Sequence, residues 1–175
     1  LKISNDNYAL ITLHRPSNVD DEKTFSGIMD ALEIIGKDIP LVFPAHPRTT
    51  KMIDKFGFEK RINQIPNFKM TKPLGYLDFL ALMRHAKVVL TDSGGLQEET
   101  TALGIPCLTI RKNTERPITV EQGTNVVVGN SSDNIVEEWN NVSNTGGKKG
   151  RIPEMWDGKT AERIGDVIVE YFDKN

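Results

Sequence analysis

Short apolar runs alternating with longer amphipathic stretches extend through most of this chain, and that alternation confines it to one class of fold. Runs of strand length occupy 8–13, 40–43, 68–70, 88–91, 107–110 and 125–128. Between the first two, Asp20, Asp21 and Glu22 place negative charge at a helix start. Phe25, Ile28, Met29, Leu32 and Ile35 then follow with the spacing of one buried face. Gly36 is expected to end that helix. Further helices are expected over 49–56, 76–85, 95–103 and 133–142, the fourth of the series stopped by Gly104-Ile105-Pro106. Strands that are apolar throughout and separated by helices form a parallel sheet covered on both faces. The expected fold is α/β, a Rossmann-like three-layer αβα sandwich.

A length of 175 residues suits one domain, read over 1–175. Within it, 144–151 is expected to be a flexible linker, because glycine and lysine dominate it. An amphipathic terminal helix over 157–173, marked by Ile164, Val167, Ile168 and Tyr171, hangs on that linker and is free to pack away from its own sheet. The formal charge of −2 is spread without blocks of either sign, which argues against a nucleic-acid partner. Cys107 stands alone, so no internal disulfide forms, and its apolar neighbours read it as a small buried hydrophobe. No run reaches membrane-spanning length and no signal peptide opens the chain, so a cytoplasmic location is expected. The first residue is Leu1 rather than methionine, which reads as a piece of something longer.

In open parallel sheets ligands bind beyond the carboxyl ends of the strands, so the polar residues that follow each strand are the candidates. His14 and Arg15 follow the first, offering an imidazole for proton transfer and a guanidinium for a diphosphate. His46 and Arg48 follow the second, although Pro47 and Thr49 would also make an ordinary helix entry with Thr49 as its cap. Leu74-Gly75-Tyr76 follows the third and could pack on, and bond, the edge of a planar base. Arg116 follows the fifth. His14, His46 and His85 lack ligand spacing, so no metal site and no cofactor are expected.

The most informative stretch is Thr91-Asp92-Ser93-Gly94-Gly95-Leu96-Gln97-Glu98-Glu99. A strand enters a turn of small residues and then a helix, so the unpaired N–H groups of the first helical turn face whatever lies above the sheet edge. Ser93 adds a hydroxyl, and Gly94 and Gly95 let a phosphate oxygen approach the main chain. Glu98 or Glu99 supplies a carboxylate one turn on, suited to a sugar diol. Phosphate beside ribose is a nucleotide. The alternative is a plain tight turn capped by Ser93. Dinucleotide and P-loop fingerprints are both absent from the sequence.

These strings, with Glu115-Arg116-Pro117 and Gln122-Gly123-Thr124, closely resemble the carboxyl-terminal half of the non-hydrolysing UDP-N-acetylglucosamine 2-epimerases, whose two-domain fold is called GT-B. The resemblance implies that the pyrophosphate rests on Ser93 and Gly94, that Glu99 holds the ribose, and that the main chain from Leu74 to Tyr76 holds the uracil. His14 would stand at the bond between sugar and nucleotide with Arg15 beside it, and His46 and Arg116 would line the phosphate region. The implied reaction interconverts UDP-N-acetylglucosamine and UDP-N-acetylmannosamine by elimination and re-addition of UDP, with the acidic catalytic residues in an amino-terminal half absent here. The resemblance also implies a homodimer assembled largely through that half. The family commonly reads His-Arg-x-Glu-Asn where this chain has His14-Arg15-Pro16-Ser17-Asn18, so a role resting on that Glu does not transfer to Ser17. The rival readings are a GT-B glycosyltransferase domain, a hydrolysing epimerase and a non-catalytic nucleotide-binding domain.

Overall fold

The computed structural model describes residues 7–174; positions 1–6 and 175 of the expected 1–175 domain lie outside the described residues. The strands are β1 (Ala9–Thr12), β2 (Leu41–Pro44), β3 (Phe68–Thr71), β4 (Val88–Thr91), β5 (Cys107–Thr109) and β6 (Asn125–Val127). The helices are α1 (Pro16–Val19), α2 (Glu22–Asp38), α3 (Pro47–Phe56), α4 (Glu59–Gln64), α5 (Tyr76–Arg84), α6 (Gly94–Leu103), α7 (Pro117–Glu121), α8 (Ser132–Thr145) and α9 (Thr160–Asp173). Every strand pair is parallel, in the order β3-β2-β1-β4-β5-β6. The chain leaves β1 toward one edge and returns to the other side of β1 through β4. That reversal opens a crevice between the carboxyl ends of β1 and β4.

Alternation along the strands divides the core in two. Ala9 and Ile11 of β1, with Val88 and Leu90 of β4, face the cluster built on α2 and α8. Leu10 and Val89 face the smaller cluster with Met83, Phe79 and Leu96 from α5 and α6. Phe25, Ile28, Met29, Leu32 and Ile35 of α2 are all fully buried, each contributing roughly 1.5–3 kcal/mol of apolar burial. Trp139 of α8 joins them and donates its indole N–H to Asp38 at 2.9 Å.

Gly36 does not end α2, which continues to Asp38. A Cβ at Gly36 would stand 2.2 Å from Ile65 Cγ2, so the glycine serves close packing rather than termination. Gly104 does close α6, in the left-handed conformation at φ 71°. Of the expected 144–151 linker, 144 and 145 are the last residues of α8, and the remainder is tied to the body: Arg151 N–H donates to the Gln122 carbonyl at 2.8 Å, and Lys148 Nζ donates to the carbonyls of Val120 and Asn125. By contrast α9 has no buried residue, and Ile164, Val167, Ile168, Tyr171 and Phe172 are all more than half exposed. No helix among the described residues is long and apolar enough to cross a membrane.

Candidate functional site

The crevice between β1 and β4 is organised by Asp92, the residue that follows β4. It is fully buried. Its carboxylate accepts the backbone N–H of His14 at 3.0 Å, that of Arg15 at 2.8 Å, and Asn18 Nδ2–H at 3.3 Å. The fourth donor is His14 Nδ1, 2.9 Å from Oδ1. Burial alone would push the Asp92 carboxyl upward, but the His14 ring and the Arg15 and His14 amides outweigh it and hold it below the usual aspartate range. The same bond raises the His14 imidazole above its ordinary value, against burial and the neighbouring Arg15. Arg15 is oriented from behind, its Nε–H donating to the Asp92 carbonyl at 2.9 Å.

Helix α6 starts directly above this carboxylate. Ser93 occupies its N-cap position, but the hydroxyl makes no capping bond, so the plain-cap reading fails and the Oγ is left for another partner. The Ser93 N–H is spent on Thr91 Oγ1 at 3.0 Å. The helical N–H groups that follow belong to Gly94, Gly95 and Leu96. Neither glycine has a positive φ; a Cβ on Gly94 would meet Glu115 Oε2 only at 3.9 Å, and one on Gly95 would meet nothing within 4 Å. The protein itself does not demand glycine here. Both Cβ positions are open.

The two candidate carboxylates separate cleanly. Glu98 Oε1 pairs with Arg116 Nε at 3.0 Å. Glu99 Oε2 is shielded from solvent and has no hydrogen-bond partner among the described residues. Burial, with Glu98 nearby, pushes the Glu99 carboxyl upward. An orphaned, shielded acceptor one turn below the unpaired amides of a helix start suits a diol.

His14, His46, Leu74 and Ser93 line one depression of about 280 Å³, with Thr12, Pro44, Phe79 and Leu96. The His14 and His46 rings lie 5.7 Å apart. His46 is the N-cap of α3 and accepts the Arg48 N–H through Nδ1 at 3.1 Å. Thr49, expected as that cap, is instead buried inside the helix, where its hydroxyl donates to the Leu13 carbonyl and fixes the end of β1. Tyr76 is 63% exposed and outside the lining of this depression. Arg116 stands at the start of α7, and its neighbour Glu115 approaches Arg15 Nη2 at 3.9 Å.

Sequence reasoning assigned no role to several residues that build the site. Asp92 and Asn18 hold the crevice together; Asn18 also donates to the Ile110 carbonyl at 2.8 Å. Buried Arg111 grips Glu115 at 2.7 and 2.5 Å, driving that carboxyl down to about 2. Gln97 accepts from Asn125 Nδ2 at 3.1 Å and from Thr114 Oγ1, so the Gln of the motif clamps α6 to β6 and the β5–α7 loop. The one available signal was position: Asp92 immediately follows a buried strand, where a charge needs donors.

The family model described as UDP-N-acetylglucosamine 2-epimerase matches residues 1–169. The UDP-N-acetylglucosamine 2-epimerase of Methanocaldococcus jannaschii is 39% identical over 170 residues, which are 95% of this chain and 45% of that protein. A crystal structure of the M. jannaschii enzyme in complex with UDP-GlcNAc and UDP superposes with a TM-score of 0.84 at 37% identity, covering 95% of this chain and 46% of that one. The UDP-2,3-diacetamido-2,3-dideoxy-D-glucuronate 2-epimerase of Pseudomonas aeruginosa is 41% identical over 135 residues, covering 77% of this chain and 36% of that protein. The chain thus spans about half the length of the curated relatives it matches. These matches show that the chain belongs to the UDP-N-acetylglucosamine 2-epimerase family, of whose GT-B fold it forms the carboxyl-terminal half.

Proposed function

We propose that this chain is the UDP-binding half of a non-hydrolysing UDP-N-acetylglucosamine 2-epimerase, which interconverts UDP-N-acetylglucosamine and UDP-N-acetylmannosamine by eliminating and re-adding UDP. The observation that carries this reading is the start of α6, where two consecutive glycines have open Cβ positions and nothing in the described residues requires glycine. A diphosphate there takes the free helix amides and the Ser93 hydroxyl, with Arg15 alongside. Its ribose reaches the unpartnered Glu99 carboxylate. The uracil lies toward Leu74, with the Leu74 to Tyr76 main chain at its edge.

As the bond from sugar C1 to the diphosphate breaks, negative charge grows on the departing oxygen. Helix amides and the Arg15 guanidinium stabilise that charge, and they are in place before the reaction starts. Arg15 is loosely held by Glu115 at 3.9 Å, an exposed pairing worth about 0–1 kcal/mol, so a phosphate competes for it easily. The base that takes the C2 proton belongs to the remainder of the parent protein. The P. aeruginosa relative is named for a different UDP-sugar at a similar identity, which supports assigning nucleotide recognition to this half and sugar selection to the other. The exposed apolar face of α9 is proposed to pack on that other half. The dimer contact of the parent is likewise placed there.

Calorimetry of the chain with UDP and an epimerisation assay of the chain and its parent test the reading together. The chain should bind UDP more weakly than the parent, since it offers one wall of an enclosing cleft, and only the parent should turn over. Epimerisation by the chain alone would refute the division of labour. Free N-acetylmannosamine as the parent's product would point to hydrolysis, acceptor-dependent turnover to sugar transfer, and UDP binding without turnover in the parent to a binding module.

A further inference from the structure

We propose that Asp92 is the positioning residue of His14, and that the two imidazoles of the crevice are held in opposite tautomers: His14 with its fixed proton on Nδ1, His46 with its proton on Nε2. The proposal rests on the function proposed above, with His14 near the sugar–diphosphate bond as the family resemblance implies, and adds which nitrogen works there.

The assignment follows from donors and acceptors. An ionised carboxylate only accepts, so the His14 nitrogen 2.9 Å from Asp92 Oδ1 carries a hydrogen. A backbone amide only donates, so the His46 Nδ1 that receives the Arg48 N–H at 3.1 Å carries a lone pair. Each ring is left one nitrogen, Nε2, for the depression that both line. At His14 that nitrogen alternates between lone pair and N–H. At His46, in the neutral ring, it is a donor.

Asp92 is built to hold this arrangement. The backbone N–H groups of His14 and Arg15 and the Asn18 side chain also bind its carboxylate, so it cannot swing away from the ring. The charged and titratable groups facing His14 are Arg15 from its own loop, Asp92 from the end of β4 and His46 from α3, with Glu115 and Arg111 reached through Arg15. Asp92 is the nearest anion, and it lowers the free energy of the imidazolium. When the C1–O bond breaks, its electron pair stays on the β-phosphate oxygen. Protonated His14 gives its Nε2 hydrogen to that oxygen and becomes neutral, its Nδ1–H still on Asp92. Re-addition runs the same transfer backwards, returning the proton to Nε2. His46 donates to a phosphate oxygen throughout and exchanges nothing.

Nitrogen-15 NMR of the histidine-labelled chain reads both tautomers without any variant. Above its titration His14 should show the Nδ1–H pattern and His46 the Nε2–H pattern; the Nε2–H pattern at His14 overturns the proposal. In Asp92→Asn, which keeps the shape but removes the charge, the His14 midpoint should fall by about one pH unit or more. In the parent carrying the same change, kcat should drop about 100-fold with KM for UDP-N-acetylglucosamine altered less than about threefold. The acid works protonated, so activity fails as pH rises through the His14 pKa; that limb should move to lower pH in the variant. An unmoved midpoint, or a loss confined to KM, leaves Asp92 as a structural residue only. Failure of UDP to bind the unaltered chain sinks the functional reading while leaving the two tautomers standing, so the two failures are distinct.

Discussion

A Gly95→Val chain will keep its melting temperature and lose its nucleotide. Gly95 is the second residue of α6, and a Cβ there meets no atom within 4 Å, so valine has room. Nor does the helix suffer: glycine is the poorer helix former, by a few tenths of a kcal/mol. The added methyls fill the space above the Gly94, Gly95 and Leu96 amides. A phosphate oxygen must come to about 3 Å of those nitrogens to bond them. Losing two charge-assisted hydrogen bonds at roughly 1.5 kcal/mol each weakens UDP about 100-fold. Calorimetry and a thermal melt on the same sample decide the matter. Affinity within threefold of the unaltered chain would mean that the diphosphate sits elsewhere.

The second large effect lies far from the crevice. Gly150→Ala should destabilise the chain by about 2–3 kcal/mol, lowering its melting temperature by about 8 °C. The new Cβ would stand 2.3 Å from the Gly123 carbonyl carbon, 2.6 Å from its oxygen and 2.7 Å from Thr124 N. All three are backbone atoms, and none can rotate aside. Gly27→Ala is the matched control, because a Cβ there meets open space within α2 and should raise the melting temperature by about 2–3 °C. If both variants melt together with the unaltered chain, segment 144–151 is not docked on the turn before β6.

Glycines show where the sequence was legible and where it was not. Gly104 ends α6 as expected, because the rule for left-handed helix ends is local. Gly36 sits in an equally plausible place, yet what decides it is Ile65, a residue from beyond the next strand and two helices. Gly150 and Gly123 pack on each other for reasons no local pattern displays. The six strands and the long helices were readable from periodicity. Short α1, α4 and α7 present too few turns to show an apolar face, and they went unseen.

The candidate site was legible as positions, since residues that follow parallel strands converge on one edge. Its wiring was not. Asp92 lies inside the motif, but its role depends on His14 and Arg15, more than seventy positions earlier in the chain. Thr49 illustrates the same limit: a residue typical of caps is buried under β1 while a histidine caps the helix.

One consequence of the strand order concerns kinetics. β1 pairs with β4, joining Thr12 to Thr91 across 79 positions, and the crevice exists only once that pairing is made. Contacts so distant in sequence form late, after the costly closure of a long loop. A refolding chain therefore has nothing to offer UDP until its rate-limiting barrier is behind it. Saturating nucleotide should slow the unfolding limb of a chevron and leave the refolding limb where it was.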